Sequence, residues 1–317
     1  NTLIRSRAKK MGLKVNEYEI SGPEGSVFPE TEEAFYAALG LSWIPPELRE
    51  GEEEIEAAEK GRLPRLVSPE EIKGVIHAHS DYSDGLYPME ELALECRTRG
   101  FSYLCVSDHS TSAGYAGGLS AERLMRQADE IARLNARLAP FRIFHGIESD
   151  IRADGSLDYP DHVLDRLDFV IGAIHSKLTM DKAEATGRLL TAIRNPRLTI
   201  LAHPSGRLLL SREGYAYDAD AVLKEIAKHK VVLEHNCHPS RLDPGWRLLK
   251  QAGRLGITVS INPDLHGPEG FDHISLGVLM ARKAWLGPTQ ILNCRGTEEL
   301  SEFFTARKRR PDPHPGQ

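Results

Sequence analysis

The sequence predicts an α/β barrel of seven parallel strands, preceded by a smaller α+β segment. Between residues 73 and 306, short apolar, β-branched runs alternate with amphipathic segments of helical period. This alternation is typical of parallel strands joined by crossover helices. Nearly every run also ends in polar or ionisable residues, which would gather at one mouth if the sheet closes into a barrel.

Residues 1–45 are predicted to form the smaller segment, with three elements. These are a basic helix, an alternating strand and a short helix, at Thr2–Lys10, Leu13–Ile20 and Glu30–Leu39. Residues 46–72 are predicted to be a linker, because they combine a Pro-Pro pair with the acidic run Glu50–Glu56. Such a run is usually a solvated surface.

Residues 73–306 are predicted to form the barrel. The seven expected strands are Val75–Ser80, Tyr103–His109, Arg142–Asp150, Phe169–Ser176, Thr199–His203, Val231–Asn236 and Thr258–Asp264. The expected helices between them are Pro88–Arg99, Ala121–Leu138, Ala183–Arg194, Ala219–Lys230 and Gly245–Arg254. Residues 307–317 carry basic and then proline-rich sequence, which predicts a disordered tail.

Composition limits the class of protein. The 317 residues are 40% hydrophobic and 27% charged, which permits a sizeable core. No run approaches the roughly 18 apolar residues of a membrane span, so no membrane partner is expected. A net charge of −6 argues against a broad basic face for nucleic acid. The four cysteines are far apart and form no CxxC, as expected of a reduced cytoplasmic protein.

Histidine is the most informative residue type. The chain has 13 histidines and none in its first 76 residues. Six of the seven predicted strands end in His, Asp or Glu, and one barrel mouth would collect nine of these side chains. They are His77, His79, Asp84, His109, Glu148, His175, His203, Asp264 and His266. A single histidine at a strand end is usually structural, but burying nine such groups without metal would cost several kcal/mol.

Nine nitrogen and oxygen ligands are too many for one ion. They suit two or three divalent ions, and a set without thiolate favours Zn²⁺, Mn²⁺ or Fe²⁺ over Mg²⁺ or Ca²⁺. A metal-bound water loses its proton near pH 7 and becomes a nucleophile. The residues therefore predict metal-assisted hydrolysis, most naturally of a phosphoester.

The motifs HAHSDYSDG, SDHS, GIESDI, IHS, AHPS and PDLH resemble the PHP (polymerase and histidinol phosphatase) domain, a distorted (β/α)₇ barrel with a trinuclear metal site. The resemblance implies that Glu148 bridges two ions and that Glu148, Asp264, His77 and His79 are catalytic. The implied ligand sets are His77, His79, Glu148 and Asp264 for one ion, Glu148, His175 and His203 for the second, and Asp84, His109 and His266 for the third.

Further segments resemble bacterial family X DNA polymerases. YSDGLYPMEELA, DGSLDYPD and LAHPSGRLL are similar to their C-terminal PHP domain, and NTLIRSRAKKMGLKVNEYEI is similar to the end of the palm and thumb. This resemblance implies a Mn²⁺-dependent 3′→5′ exonuclease that trims DNA 3′ ends and lesions during repair. It also implies that the polymerase carboxylates precede Asn1, so a preceding polymerase region is an expected partner and this chain should not add nucleotides.

Several residues around the mouth receive secondary predictions. Those expected to hold a DNA phosphate are Lys177, Arg207 and Arg241. Asp108 and Asp150 are expected to orient imidazoles, and His145 is expected to face the outer helices. His235 and His238, near the mouth, are expected to be structural. Tyrosines on loops after the strands that could stack on a base are Tyr82, Tyr87 and Tyr115.

Two other functions remain open at this point. One is a small-molecule phosphatase of the histidinol-phosphate type on the same barrel, although such an enzyme has no use for the N-terminal segment. The other is a non-catalytic PHP scaffold, which the intact set of nine ligand-type residues argues against.

Overall fold

The computed structural model describes residues 2–308, and the chain folds into two compact units that divide after Arg65. Each unit contains its own helices and its own sheet. Among the described residues, no helix is both long enough and apolar enough to cross a bilayer.

The first unit contains a three-stranded antiparallel sheet and three short helices. Its elements are α1 (Thr2–Lys10), β1 (Lys14–Val15), β2 (Ile20–Gly22), β3 (Gly25–Val27), α2 (Glu32–Ala38) and α3 (Glu54–Glu59). The prediction of one strand over Leu13–Ile20 is wrong. The side chain of Asn16 accepts hydrogen bonds from the backbone N–H groups of Tyr18 and Glu19, which turns the chain and makes a hairpin.

The predicted linker over residues 46–72 is partly folded into this first unit. A 3₁₀ turn spans Pro46–Leu48, and α3 follows it. The acidic run is not uniformly solvated, because Glu54 is buried and accepts the backbone N–H groups of Gly51 and Glu52. Carboxylates near helix N-termini are stabilised in this way.

The second unit is the predicted barrel. Its strands are β4 (Gly74–Ala78), β5 (Tyr103–Val106), β6 (Arg142–Asp150), β7 (Phe169–Ala173), β8 (Ile200–Leu201), β9 (Val232–Asn236) and β10 (Val259–Asn262). They form one parallel sheet in sequence order, as expected for successive βα units. The sheet nearly closes, because Leu265 just after β10 exchanges backbone hydrogen bonds with His77 and His79. The prediction of a seven-stranded barrel is confirmed.

Helices surround the barrel, and three of them were not predicted. The set is α4 (Met89–Thr98), α5 (Ala121–Leu138), α6 (Asp161–Leu164), α7 (Lys182–Arg194), α8 (Ala219–His229), α9 (Trp246–Arg254), α10 (Gly270–Lys283) and α11 (Thr297–Lys308). The unpredicted helices are α6, α10 and α11. The predicted tail therefore begins too early, since Arg307 lies in α11, is buried and donates to the carbonyl of Leu198. Residues 309–317 lie outside the described residues.

Two apolar layers hold the barrel together. One lies between the strands and the outer helices, and the other fills the interior at the N-terminal ends of the strands. In the interior, Phe304 of α11 stacks on Phe169 at 5.1 Å and meets the edge of Phe144 at 5.4 Å. Helix α11 therefore closes the end of the barrel opposite the mouth, and this leaves the polar residues at the other end.

Strand β4 departs from regular geometry where the first two histidines lie. Its pairing with β5 shifts between Ile76 and Ala78, and His77 at this point has a φ of 66°. Ile76 belongs to the barrel interior, so regular alternation would turn His77 outward. The bulge turns it inward instead, and the rings of His77 and His79 lie 5.2 Å apart.

We expect Phe304→Ala to destabilise the second unit by about 3–5 kcal/mol, because it removes a buried ring between two others. Chemical denaturation followed by circular dichroism measures the change. Leu279→Ala is the matched control, since Leu279 is exposed on α10. If both variants unfold at the wild-type denaturant concentration, α11 does not contribute to the barrel core.

Candidate metal centre

All nine residues predicted as ligands lie together at the C-terminal ends of the barrel strands. Their side-chain nitrogen and oxygen atoms make contacts of 3.0–3.8 Å with one another. Glu148 on β6 lies at the middle of the group and is almost completely buried. Each of the other eight residues comes from the end of a strand or the loop after it, so the barrel topology assembles the cluster.

Both carboxylate oxygens of Glu148 face imidazole nitrogens. Oε1 lies 3.0 Å from Nε2 of His203, 3.3 Å from Nε2 of His175 and 3.4 Å from Nε2 of His77. Oε2 lies 3.0 Å from Nδ1 of His109. A carboxylate with ligand nitrogens around both oxygens has the arrangement expected of a residue that bridges two metal ions.

Asp264 forms a second point of convergence. Its Oδ1 lies 3.2 Å from Nε2 of His79 and 3.4 Å from Nε2 of His77. Its Oδ2 accepts a hydrogen bond of 3.0 Å from the side-chain amide of Asn236. The hydrogen bond from Asn236 therefore fixes the orientation of the Asp264 carboxylate, with Oδ1 facing the two imidazoles.

The outer part of the mouth holds a third group around Asp84. Its carboxylate lies 3.4 Å from Nε2 of His266 and 3.6 Å from Nε2 of His109. Asp84 and His266 are about one third exposed, whereas Glu148 and His77 are buried. Exposure thus increases across the cluster, from buried ligands inside the barrel to ligands at its outer face that solvent can reach.

The grouping differs in part from the ligand sets that the family resemblance implies. Three sets have ligand atoms within 4.8 Å of one another, namely His79–Asp84–His109–His266, His77–His79–Asp264 and His109–Glu148–His175. His79 and His109 each belong to two sets, whereas the resemblance implied one set for each. Glu148 belongs to one set, whereas the resemblance implied two. His203 falls outside all three sets although it contacts Glu148.

The residues present fit divalent metal ions. Among the described residues, several buried ring nitrogens at the mouth lack a hydrogen-bond partner in good geometry, including Nε2 of His77, both nitrogens of His79 and Nδ1 of His203. Unpaired buried polar atoms are rare in folded proteins because they cost free energy. Coordination to a cation would satisfy these nitrogens.

Some of the proposed ligands are already in the protonation state that binds metals, and others are not. Burial alone would raise the pKa of Glu148, but neighbouring imidazoles, led by His175 and His77, hold it well below its ordinary value. Burial lowers the pKa of His79 and of His203 to about 3, so both rings are neutral at pH 7. Neutral imidazole and ionised carboxylate are the forms that bind metals.

His175 and His266 are in the other protonation state. Burial alone would lower the pKa of both rings, but carboxylates, Glu148 beside His175 and Asp84 beside His266, raise it to about 10 and about 9. These two rings would therefore release a proton on binding a metal ion.

Two carboxylates outside the cluster orient imidazoles. Oδ1 of Asp150 lies 2.5 Å from Nδ1 of His175, which agrees with the orienting role expected of Asp150. Glu234 on β9 lies 3.0 Å from Nδ1 of His77, and the sequence analysis missed it. The sequence did contain a sign of this residue, because Glu234 is a charged side chain that directly follows the apolar run Val231–Leu233 within a predicted strand. A carboxylate on the far nitrogen of a ligating histidine fixes its tautomer and orientation.

Among residues 2–308, no hydrogen bond or ion pair joins Asp108 to an imidazole, so its predicted role is wrong. Its carboxylate accepts hydrogen bonds from Ser80, Ser83 and Gln127. It therefore holds the loop that carries Asp84. The tightness of this loop also requires Gly85, since a Cβ there would lie 2.2 Å from the carbonyl oxygen of His79.

Backbone strain concentrates at the mouth. Among non-glycine residues, His77, His203 and Asp264 have φ values of 66°, 25° and 54°. Left-handed backbone at such residues is costly and persists where the surrounding structure enforces it, often at functional sites. Three of the nine candidate ligands are therefore held in conformations that an unconstrained strand end would avoid.

The three residues predicted to hold phosphate have different environments. Arg207 donates to the backbone carbonyls of Arg241 and Leu242, so it braces the loop after β9 and is not directed at a ligand. Arg241 lies at the mouth, with its Nε 3.4 Å from Oδ2 of Asp264. Lys177 is exposed just beyond β7, with a φ of 50°. Of the three, Arg241 is the cation that the structure places beside the cluster.

The remaining histidines near the barrel have structural contacts. His145 lies 3.1 Å from the side-chain oxygen of Gln127 on α5, so it faces an outer helix as predicted. Nδ1 of the buried His235 lies 3.1 Å from the carbonyl oxygen of Pro244. Nδ1 of His238 accepts the backbone N–H of Ser240. None of these rings belongs to the three ligand sets.

We expect Glu234→Ala to weaken divalent-metal binding about 10–100-fold, because His77 loses the partner that orients its ring. Glu234→Gln, which keeps an acceptor, should fall between the alanine variant and wild type. Titration of the metal-free protein with Mn²⁺ or Zn²⁺ measures the affinity. Glu122→Gln is the control, because Glu122 is an exposed residue at the start of α5. Unchanged affinity in a folded alanine variant would contradict the orienting role.

Comparison with known proteins agrees with both parts of the chain. The model of the DNA polymerase beta thumb matches residues 1–50, and the model of the PHP domain matches residues 76–238. The protein named DNA polymerase/3'-5' exonuclease PolX from Bacillus subtilis is 40% identical over 307 residues, which are 96% of this chain. The chain spans 53% of that relative's length.

More distant relatives share the barrel. A protein named probable phosphatase from Caldicellulosiruptor saccharolyticus is 27% identical over 60% of this chain and 78% of its own length. Histidinol phosphate phosphatase from Lactococcus lactis, solved with zinc, L-histidinol and phosphate, matches with a TM-score of 0.50 and 17% identity. That match covers 67% of this chain and 94% of the other, and it shows the fold. The chain belongs to the PHP domain family, and its PHP barrel is preceded by a segment of the DNA polymerase beta thumb family.

Proposed function

We propose that the chain is a metal-dependent phosphodiesterase that hydrolyses DNA from 3′ ends. The observation that carries this proposal is the buried carboxylate of Glu148, which lies within 3.7 Å of five imidazole nitrogens at the mouth of the barrel. Membership of the PHP domain family supports phosphoester hydrolysis. The name and the 40% identity of the Bacillus subtilis relative support a 3′→5′ exonuclease in particular.

The proposal assigns the nine mouth residues to two or three divalent ions, either Mn²⁺ or Zn²⁺, with Fe²⁺ also compatible with the ligands. Such ions, when bound, neutralise phosphate charge and supply an activated water. Glu148 is the carboxylate that two ions would share. Asp264, His77 and His79 would bind one of these ions together with Glu148. These four residues are proposed as catalytic because each of the two imidazoles lies within 3.7 Å of both carboxylates.

The chain's own cations would complete the phosphate site. Arg241 lies beside Asp264 and is mostly buried, so its side chain loses little freedom when it binds an anion. Arg207 holds the backbone of this loop and acts as a positioning residue. Lys177 is exposed and would contact a more distant phosphate of the strand.

The cellular setting belongs to the same proposal. The match to a polymerase thumb supports DNA as the partner and a preceding polymerase region in the parent protein. Processing of 3′ ends and lesions during DNA repair would follow from that partnership. The four cysteines are far apart in the sequence and form no CxxC, which is compatible with a reduced cytoplasmic protein.

A phosphatase of the histidinol-phosphate type is the second candidate. The phosphatase named above and the barrel shared with histidinol phosphate phosphatase favour it. The thumb segment favours the nuclease, because a phosphatase that acts on a small phosphate monoester has no use for a polymerase thumb. Activity on the two classes of substrate distinguishes these candidates.

We expect Glu148→Gln to lose more than one metal ion per chain and to abolish hydrolysis, because its carboxylate contacts imidazoles of all three sets although its own oxygens belong to one. His266→Ala should lose at most one ion, since His266 belongs to a single set on the exposed side. Elemental analysis, hydrolysis rates and circular dichroism on both variants and wild type test this. A Glu148→Gln protein that keeps its full metal content would refute the bridging assignment.

We expect the purified chain with Mn²⁺ to shorten a 5′-labelled DNA strand from its 3′ end and to leave histidinol phosphate almost untouched. Addition of a chelator should stop the reaction, and excess Mn²⁺ should restore it. Electrophoresis follows the strand, and phosphate release follows the monoester. Rapid turnover of histidinol phosphate with intact DNA would favour the second candidate.

A further inference from the structure

The structure gives different environments to Tyr82, Tyr87 and Tyr115, the three loop tyrosines that the sequence offered as candidates for base stacking. The hydroxyl of Tyr82 donates a hydrogen bond of 2.7 Å to Glu130 on α5. Tyr87 is partly buried and packs against the apolar layer under the outer helices. Tyr115 is 74% exposed, and its ring lies 6.2 Å from the ring of His109. Tyr115 is therefore the tyrosine presented beside the candidate metal centre.

Tyr115 lies within electrostatic reach of the whole mouth. The pKa of its hydroxyl is raised, first because surrounding protein displaces part of its water and then because of the negative charges of Asp150, Glu148 and Asp84. The guanidinium of Arg241 acts on the same hydroxyl in the opposite sense. Charged residues of the cluster thus lie close enough to Tyr115 to affect its hydroxyl.

The loop that carries Tyr115 is well fixed. Its neighbours Ala113 and Ala116 are buried, and the backbone of Leu119 bonds to His109 at the base of the loop. Gly118 packs so closely that a Cβ there would lie 2.0 Å from the carbonyl oxygen of Ser110. A large aromatic ring held outward by a tight loop loses little freedom when a ligand stacks on it.

We infer that Tyr115 is the residue that recognises the nucleobase next to the phosphodiester at the metal centre. Charged groups occupy the mouth and suit a phosphate, whereas the exposed ring beside His109 offers a flat apolar surface. A base attached through its sugar to a phosphate in the mouth is the part of DNA that could cover this ring. Base–aromatic stacking tolerates all sequences, as a nuclease without sequence preference requires.

This inference rests on the proposed nuclease function and adds a specificity determinant to it. Stacking and hydrogen bonding make different demands on the side chain. Stacking needs the ring, so Tyr115→Phe should keep it and Tyr115→Ala should lose it. If the hydroxyl bound phosphate instead, both variants would be impaired alike, because both lack it.

The experiment compares two single strands of DNA in Mn²⁺. One is an ordinary strand, and the other carries abasic residues on both sides of its terminal phosphodiester. We expect Tyr115→Ala to lower kcat/KM on the ordinary strand about tenfold or more, as loss of one stacked base predicts. On the abasic strand it should resemble wild type. Tyr115→Phe should resemble wild type on both strands, as should Leu279→Ala, which removes an exposed apolar side chain on α10.

A binding measurement gives a readout apart from turnover. A strand with 2-aminopurine at its 3′ end and a hydrolysis-resistant phosphorothioate linkage should lose fluorescence on binding to wild type and to Tyr115→Phe, through stacking. Binding to Tyr115→Ala should leave the fluorescence nearly unchanged.

Each outcome separates the inference from the function beneath it. If wild type cleaves the ordinary strand and Tyr115→Ala slows both strands equally, the nuclease stands and the base contact is refuted. If Tyr115→Phe is as slow as Tyr115→Ala, the hydroxyl and not the ring is responsible, and the stacking proposal fails. If wild type cleaves neither strand but releases phosphate from histidinol phosphate, the proposed function and this inference fall together.

Discussion

The burial of the Glu148 carboxylate is the constraint on which the mouth of this barrel depends. An ionised carboxylate in a low-dielectric interior is costly unless positive or hydrogen-bonding groups surround it. Here His203, His175, His77 and His109 approach its two oxygens, and the effect of His175, His77 and His109 on its pKa exceeds that of burial. The imidazoles in turn need partners for their remaining nitrogens, and this requirement organises the residues around them.

Those partners form an outer layer that fixes the geometry of the inner one. Glu234 faces the far nitrogen of His77, and Asp150 faces that of His175. Asp108 secures the loop of Asp84. Because each partner comes from a different strand or its loop, the positions of the ligands depend on the closed barrel and not on any local segment.

The barrel keeps this polar mouth apart from its apolar base. The interior at the N-terminal ends of the strands is filled by aromatic and branched side chains, with Phe304 of α11 stacked on Phe169. Apolar packing at that end, together with the layer between the strands and the outer helices, stabilises the fold. The mouth can therefore retain strained residues such as His77 and Asp264, whose φ values are positive, without unfolding the strands.

Apolar periodicity, strand-end histidines and short motifs are local signals, and they were enough to predict the seven strands, five of the helices around them, the family and the convergence of nine ligand-type residues. What each polar residue faces could be read only from the folded chain. The bulge at His77, the partnership of Glu234 with that ring, the bracing role of Arg207 and the exposure of Tyr115 all depend on contacts between distant segments. Such contacts leave no periodic trace in the chain, since they follow from how strands register and how loops cross the barrel mouth.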